Sequence, residues 1–300
     1  MRRTADAISR AVVPLALAAV ALALVAPSEA IAGRADLLLA GLVLLTALGI
    51  APGEIAALRS RWRAVAALAV LPFCVLGPLA WAIGEAIGGA LGDGTFALGL
   101  APTEIATAGL VALAGGDAAL VLAAITGSLV VSAVLGPLAV SVVAGADAGA
   151  GDLVGRFALV VLVPLAIGLA VRAAVPRIGR AEPELSAASA VVVCALVYAA
   201  LSGADQSGLL AAFGAGAAFL AAAGAVAAGL ARVLPARDRV TVPLAFALRD
   251  FAVSAALAEQ AFGGTAASVS GAYGVLMLVA GAAVAGVARR KATVSPAGSA

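Results

Sequence analysis

Arg249 and Asp250 are adjacent charges within the apolar run Thr241–Phe262, and Glu104 lies beside Pro102 in a second apolar run, Thr95–Ala114. A charge at mid-bilayer costs about 2.5–3.5 kcal/mol on insertion scales, so it persists where it is paired, faces water or carries function. Arg is permanently protonated and its planar fork suits carboxylates. Three readings follow. Arg249 pairs with Glu104 or Asp250 and staples two spans; or it faces a cavity and holds the carboxylate of an anionic substrate, or competes for Glu104 in a proton-coupled cycle; or it snorkels to the lipid interface or the span boundary lies elsewhere. The second reading is preferred. Pro102 removes a backbone donor and clashes with the preceding turn, and a proline-broken element is a poor way to join two helices. The break leaves Thr103, Glu104 and Thr107 offering hydroxyl and carboxylate groups near freed carbonyls. In Leu244–Ser254 the nearest proline, Pro243, sits at the start of its run and does not explain a mid-run break. Two interrupted helices with charge at similar depth form the pattern of a transporter's substrate site.

The elements that hold these residues are read from composition. Hydrophobic residues make up 64% of the 300, and 11% are charged; mean hydropathy is +1.17. A soluble domain is about half apolar and a quarter charged, so the bilayer is this chain's solvent. Runs of about 17–25 apolar residues span it as helices. Ten such runs are present: Ala11–Ala26, Ala35–Ala51, Ala64–Ile87, Thr95–Ala114, Ala118–Ala144, Leu153–Val175, Leu185–Leu201, Leu209–Val233, Val240–Phe262 and Ala266–Val287. Basic residues set the orientation. Arg2, Arg3, Arg10, Arg59, Arg61, Arg63, Arg172, Arg177, Arg180, Arg232, Arg237, Arg239, Arg289, Arg290 and Lys291 fall on one side of a ten-span arrangement. The other side has Arg34 and Arg156 beside Glu29, Asp36, Glu85, Asp93, Asp147, Asp152 and Asp205. Both termini are therefore expected in the cytoplasm. A rival reading takes Met1–Ala30, ending Ser28-Glu29-Ala30, as a cleaved signal peptide.

Five spans per half invert the second half, so spans one to five and six to ten are candidates for an inverted repeat. Leu113-Ala-Gly-Gly-Asp-Ala-Ala119 and Gln260-Ala-Phe-Gly-Gly-Thr-Ala-Ala267 close spans four and nine with matching Gly-Gly turns. Other polar residues have plainer roles. Asp117 reads as the N-cap of span five, Glu54 as a loop or cap residue, and Glu259 and Gln260 as groups snorkelling to the outer interface. Trp62 and Trp81 read as interfacial anchors. Cys74 and Cys194 sit in apolar runs and read as small core residues. The chain has no His, which removes histidine-based triads, metal sites and pH switching. A net charge of +2 and no basic run with aromatics argue against nucleic acid.

The two broken-span motifs resemble those of the bile acid:sodium symporter superfamily, which includes the arsenite permeases. The resemblance rests on Pro102-Thr-Glu-Ile-Ala-Thr-Ala followed by Leu113-Ala-Gly-Gly-Asp-Ala-Ala-Leu120, and on Ala245-Phe-Ala-Leu-Arg-Asp-Phe-Ala-Val-Ser-Ala-Ala-Leu257 ending in Phe262-Gly263. It implies a panel domain (spans one, two, six and seven) and a core domain (three to five and eight to ten), with spans four and nine crossing in the core. It implies substrate between the domains and alternating access. At the family's sodium-ligand positions this chain has Thr107, Ala108, Val121, Ile125, Ala245, Arg249 and Asp250. Only Thr107 and Asp250 keep a side-chain oxygen there, and Arg249 puts a fixed positive charge where a sodium ion would sit. The guanidinium is thus a candidate for a built-in cation, with uniport, exchange or proton coupling in place of sodium symport.

The expectation is an all-α polytopic membrane protein: ten transmembrane helices in two inverted five-helix repeats, 11–144 and 153–287, between a cytoplasmic N-terminus (1–10) and a disordered cytoplasmic tail (288–300). It is a divergent bacterial member of the superfamily, in the inner (plasma) membrane. It moves a small organic anion, with Arg249, Asp250, Glu104, Thr103 and Thr107 at the substrate site. Asp250, Glu104 and Thr107 double as the ion-coupling groups, for a proton or sodium. No cofactor, metal or nucleic acid is expected. The alternatives are an arsenite-type or other inorganic-ion permease of the same fold, a non-transporting membrane sensor, and an intramembrane enzyme, which no catalytic motif supports.

Overall fold

With no water in the hydrocarbon core, a spanning segment must satisfy its backbone groups internally, so apolar runs become helices. The computed structural model describes residues 12–50, 53, 61–144, 150–202 and 208–294. In chain order the α-helices are α1 (Val12–Val25), α2 (Glu29–Ala32), α3 (Ala35–Gly49), α4 (Trp62–Ile87), α5 (Gly89–Leu100), α6 (Thr107–Leu113) and α7 (Ala118–Ala144). They continue with α8 (Ala150–Ala174), α9 (Glu182–Ser202), α10 (Leu209–Val233), α11 (Thr241–Ala247), α12 (Phe251–Phe262) and α13 (Gly264–Val294).

Among the described residues, each of the ten apolar runs carries helix, the fourth and ninth each split in two. Among the described residues six stretches are long and apolar enough to cross a membrane: Trp62–Ile87, Ala118–Val143, Gly151–Ala174, Pro176–Ser202, Leu209–Val233 and Gly264–Gly281. Pro14–Val25, Ala35–Gly49 and Phe251–Phe262 are apolar but shorter. Helix α13 continues through Val294, into the segment 288–300 that composition reads as disordered. Residues 295–300, the N-terminal segment 1–10 and Glu54 lie outside the described residues.

Proline alone does not decide where a helix breaks. Pro72 and Pro78 lie inside α4, Pro137 inside α7 and Pro164 inside α8, and all three helices run on. At Pro102 the helix stops, and it resumes at Thr107.

The helices sort by packing into two groups. Helices α8 and α9 both pack on α3, with α1 on α9, and the two groups meet where α8 lies on α7 and α9 on α13. Helices α4, α5, α7, α10, α11, α12 and α13 form the second group, with α6 against α7 and α13. Within the second group α4 and α5 approach so closely that a Cβ on Gly84 would meet the Gly92 carbonyl oxygen at 2.5 Å. Gly88 (φ 77°) and Gly89 (φ 57°) make the left-handed turn that joins these two helices.

Polar contacts gather the connections at two ends. At one end Arg61 Nη1 lies 2.6 Å from Asp117 Oδ2, and its Nη2 lies 3.1 Å from Asp238 Oδ1. At the other, Arg156 Nη2 lies 2.8 Å from Asp36 Oδ2, and Gln260 Nε2 donates to Asp36 Oδ1 at 3.0 Å. The second end also holds Tyr198, whose hydroxyl donates to the Ala26 carbonyl at 2.5 Å.

Candidate functional site

A helix that stops inside a membrane leaves carbonyls at one broken end and N–H groups at the other, and both need partners. Here the two broken spans partner each other. Thr103 and Arg249 form an antiparallel backbone bridge. Asp250 N donates to the Pro102 carbonyl at 2.8 Å, and Glu104 N donates to the Leu248 carbonyl at 3.0 Å. This explains the break in the ninth run, which lacks a mid-run proline. Its backbone pairs with residues 102–104 instead of continuing its own helix.

Side chains complete the accounting. Thr103 Oγ1 donates to the Ala245 carbonyl at 3.1 Å, and Ser132 Oγ donates to the Leu100 carbonyl at 2.7 Å. Ser128 Oγ accepts from Thr103 N at 3.1 Å and donates to the Ile125 carbonyl at 3.0 Å. Tyr273 Oη accepts from Arg249 N at 2.9 Å and donates to the Ala247 carbonyl at 3.3 Å, so one phenol spans the α11–α12 break. Its ring meets Phe219 edge-on, with centroids 5.6 Å apart. Asp250 caps α12: its Oδ1 accepts from Ala252 N at 2.9 Å and from Val253 N at 3.0 Å.

All five residues singled out in the sequence meet at this crossover and are buried: Thr103, Glu104, Thr107, Arg249 and Asp250. Arg249 is 1% exposed, and its Nη2 donates to the Ala101 carbonyl at the end of α5. Its Nε and Nη1 have no partner. Among the described residues Arg249 forms no ion pair, which removes the staple reading in its direct form. Lipid snorkelling is excluded by its burial. Glu104 Oε1 accepts from Ala106 N at 3.2 Å. Glu104 Oε2, Asp250 Oδ2 and Thr107 Oγ1 are buried without a partner. The site therefore holds one cation with unused donors and two carboxylates, each with an unused oxygen.

Sequence reasoning missed Tyr273, Ser128 and Ser132. The two serines lie four apart, on one face of a helix, which was the available signal. Asp117 caps α7 as expected, its Oδ1 accepting from Leu120 N at 3.0 Å. Trp62 and Trp81 are exposed, Cys74 is exposed and Cys194 is half-buried, and both cysteines are free.

The model of the SBF-like CPA transporter family matches residues 11–279. The chain belongs to this family. The family falls within the bile acid:sodium symporter and CPA-type group of transporters, as the broken-span motifs anticipated. No curated protein matches the chain. The SBF-like protein is thus a multi-pass membrane protein of a transporter family. At the positions that correspond to sodium ligands in the resemblance, Val121, Ile125 and Ala245 are fully buried and carry no donor or acceptor on their side chains.

Proposed function

We propose that the protein is a secondary transporter that moves a small organic anion by alternating access, without sodium. The observation that carries this reading is the placement of Arg249. Its guanidinium rests on the Ala101 carbonyl, where α5 ends, and the carbonyl end of a helix favours a positive charge. A permanent cation there takes the place of a bound sodium ion. The donors at Nε and Nη1 remain for an acceptor. In the state described here Arg249 is sealed from solvent; the anion reaches it when the two helix groups part. Glu104 and Asp250 are the proton carriers that balance its charge, and Thr103 and Thr107 shape the crossover. The inorganic-ion alternative is disfavoured because neither Cys74 nor Cys194 lies at the crossover.

The proposed architecture is ten spans in two inverted repeats, in a bacterial inner membrane with both termini cytoplasmic. Supporting it, Arg61, Asp117 and Asp238 meet at one end and Asp36, Arg156 and Gln260 at the other. This is the alternation that ten spans require.

The test is thermal unfolding of the purified protein against a panel of small carboxylates, in sodium and in choline buffers. Flux of each stabilising anion into proteoliposomes follows. Stabilisation equal in both buffers, and lost in Arg249→Gln along with flux, is expected. Stabilisation that needs sodium, or unchanged transport in Arg249→Gln, overturns the proposal.

A further inference from the structure

The two helix groups pack on each other through α8 on α7 and α9 on α13, and at the end that carries Asp36 they also meet through a polar contact. Asp36 lies on α3 and Arg156 on α8, both in the first group. Arg156 holds Asp36 through Nε at 3.1 Å and Nη2 at 2.8 Å, both on Oδ2. That fork turns the other carboxylate oxygen, Oδ1, toward the second group. There Gln260, in the last turn of α12, donates to it at 3.0 Å. Glu259, beside Gln260, is a like charge to Asp36 and an opposite charge to Arg156. Gln260 is half-buried and Asp36 keeps 31% side-chain exposure.

The opposite end is built differently. Arg61 precedes α4, Asp117 caps α7 and Asp238 precedes α11, so this cluster ties the second group to itself. The Asp117 N–H adds a bond to Thr241 Oγ1 at 2.9 Å, again within that group. One end thus has a cluster internal to a single group, while the other has a hydrogen bond that crosses between groups.

We infer that Gln260 and the Arg156-oriented Asp36 carboxylate form a latch that holds the two helix groups together at the Asp36 end and must open in each transport cycle. Helix α12 runs from the N-cap Asp250 at the crossover to Gln260 at the latch. One short helix therefore links the site to the contact. A displacement of the crossover on ligand binding is carried along α12 to the bond with Asp36. The inference rests on the reading that the two groups move relative to each other, but not on the identity of the anion.

The test is a distance measurement across the latched end without any substrate. Spin labels are placed at Leu37→Cys on α3 and Leu210→Cys on α10, both strongly exposed positions, in a Cys74→Ala/Cys194→Ala background of full-length protein in lipid nanodiscs. Gln260→Ala removes the donor and should raise the population of longer distances about threefold to tenfold, the factor for one ordinary hydrogen bond. Gln260→Lys replaces it with a cation facing Asp36 and should lower that population below the parent's. Identical distributions in the parent and both variants overturn the latch, and so does opening by Gln260→Lys. Failure of anion binding elsewhere leaves these distances untouched, so the two ideas fail separately.

Discussion

Replacing Arg249 with methionine separates a structural role from a functional one. The side chain is 1% exposed, its Nη2 bonds the Ala101 carbonyl, and Nε and Nη1 are unpartnered. Arg249→Met loses one charge-assisted hydrogen bond, about 1.5–3 kcal/mol, and leaves the Ala101 carbonyl without it, about 1–3 kcal/mol. It also removes two buried unsatisfied nitrogens, about 1–3 kcal/mol each, and a buried charge whose desolvation is itself unfavourable. The terms nearly cancel, and the balance tips toward stabilisation, as it does for many buried charges exchanged for apolar residues. Asp250 loses a favourable neighbour but keeps the Ala252 and Val253 N–H groups on Oδ1. A staple broken by removing one partner would instead lose about 3–5 kcal/mol. At about 2 °C per kcal/mol for a chain of this size, that is a fall of about 6–10 °C. The assay is the unfolding midpoint by tryptophan fluorescence at one fixed scan rate, since membrane proteins seldom refold reversibly. The expected midpoint is unchanged or raised, while anion flux is abolished. Arg249→Lys, which keeps the charge without the fork, should also lose flux. A fall of about 6 °C or more in Arg249→Met would refute the reasoning and restore the staple.

Tyr273→Phe keeps the ring against Phe219 but strands the Arg249 N–H and weakens the cover of the Ala247 carbonyl. A lowering of the midpoint by about 2–6 °C is expected, with faster amide exchange confined to residues 248–250; exchange as slow as in the parent would mean the phenol does not hold the break. At Asp117, alanine removes both the α7 cap and the Arg61 ion pair. Asparagine keeps a capping oxygen. Asp117→Ala should therefore lose about 1–2 kcal/mol and Asp117→Asn less than about 1 kcal/mol, and equal losses in thermal unfolding would assign the effect to the ion pair.

Much of this protein was legible without coordinates because the bilayer is a demanding solvent. It favours helix in every apolar run, and among the described residues each of the ten runs found by length and hydropathy carries helix, two of them with a break. It also makes intramembrane charge rare, so Arg249, Asp250 and Glu104 stood out by type and position alone, and Pro102 marked one break. What sequence could not supply was long-range pairing. The second break depends on residues 102–104, about 145 positions away, taking the backbone bonds of Leu248 and Asp250. The tyrosine that spans that break comes from a further helix, α13. Whether Arg249 met Glu104, Asp250, lipid or a carbonyl could not be read from spacing, because each lay within reach of its long side chain. Tertiary packing decided for the Ala101 carbonyl, since the crossover sets the end of α5 against the α11–α12 break and closes the site to lipid. Local chemistry determined which residues are unusual, and the meeting of two distant broken helices determined what each of them touches.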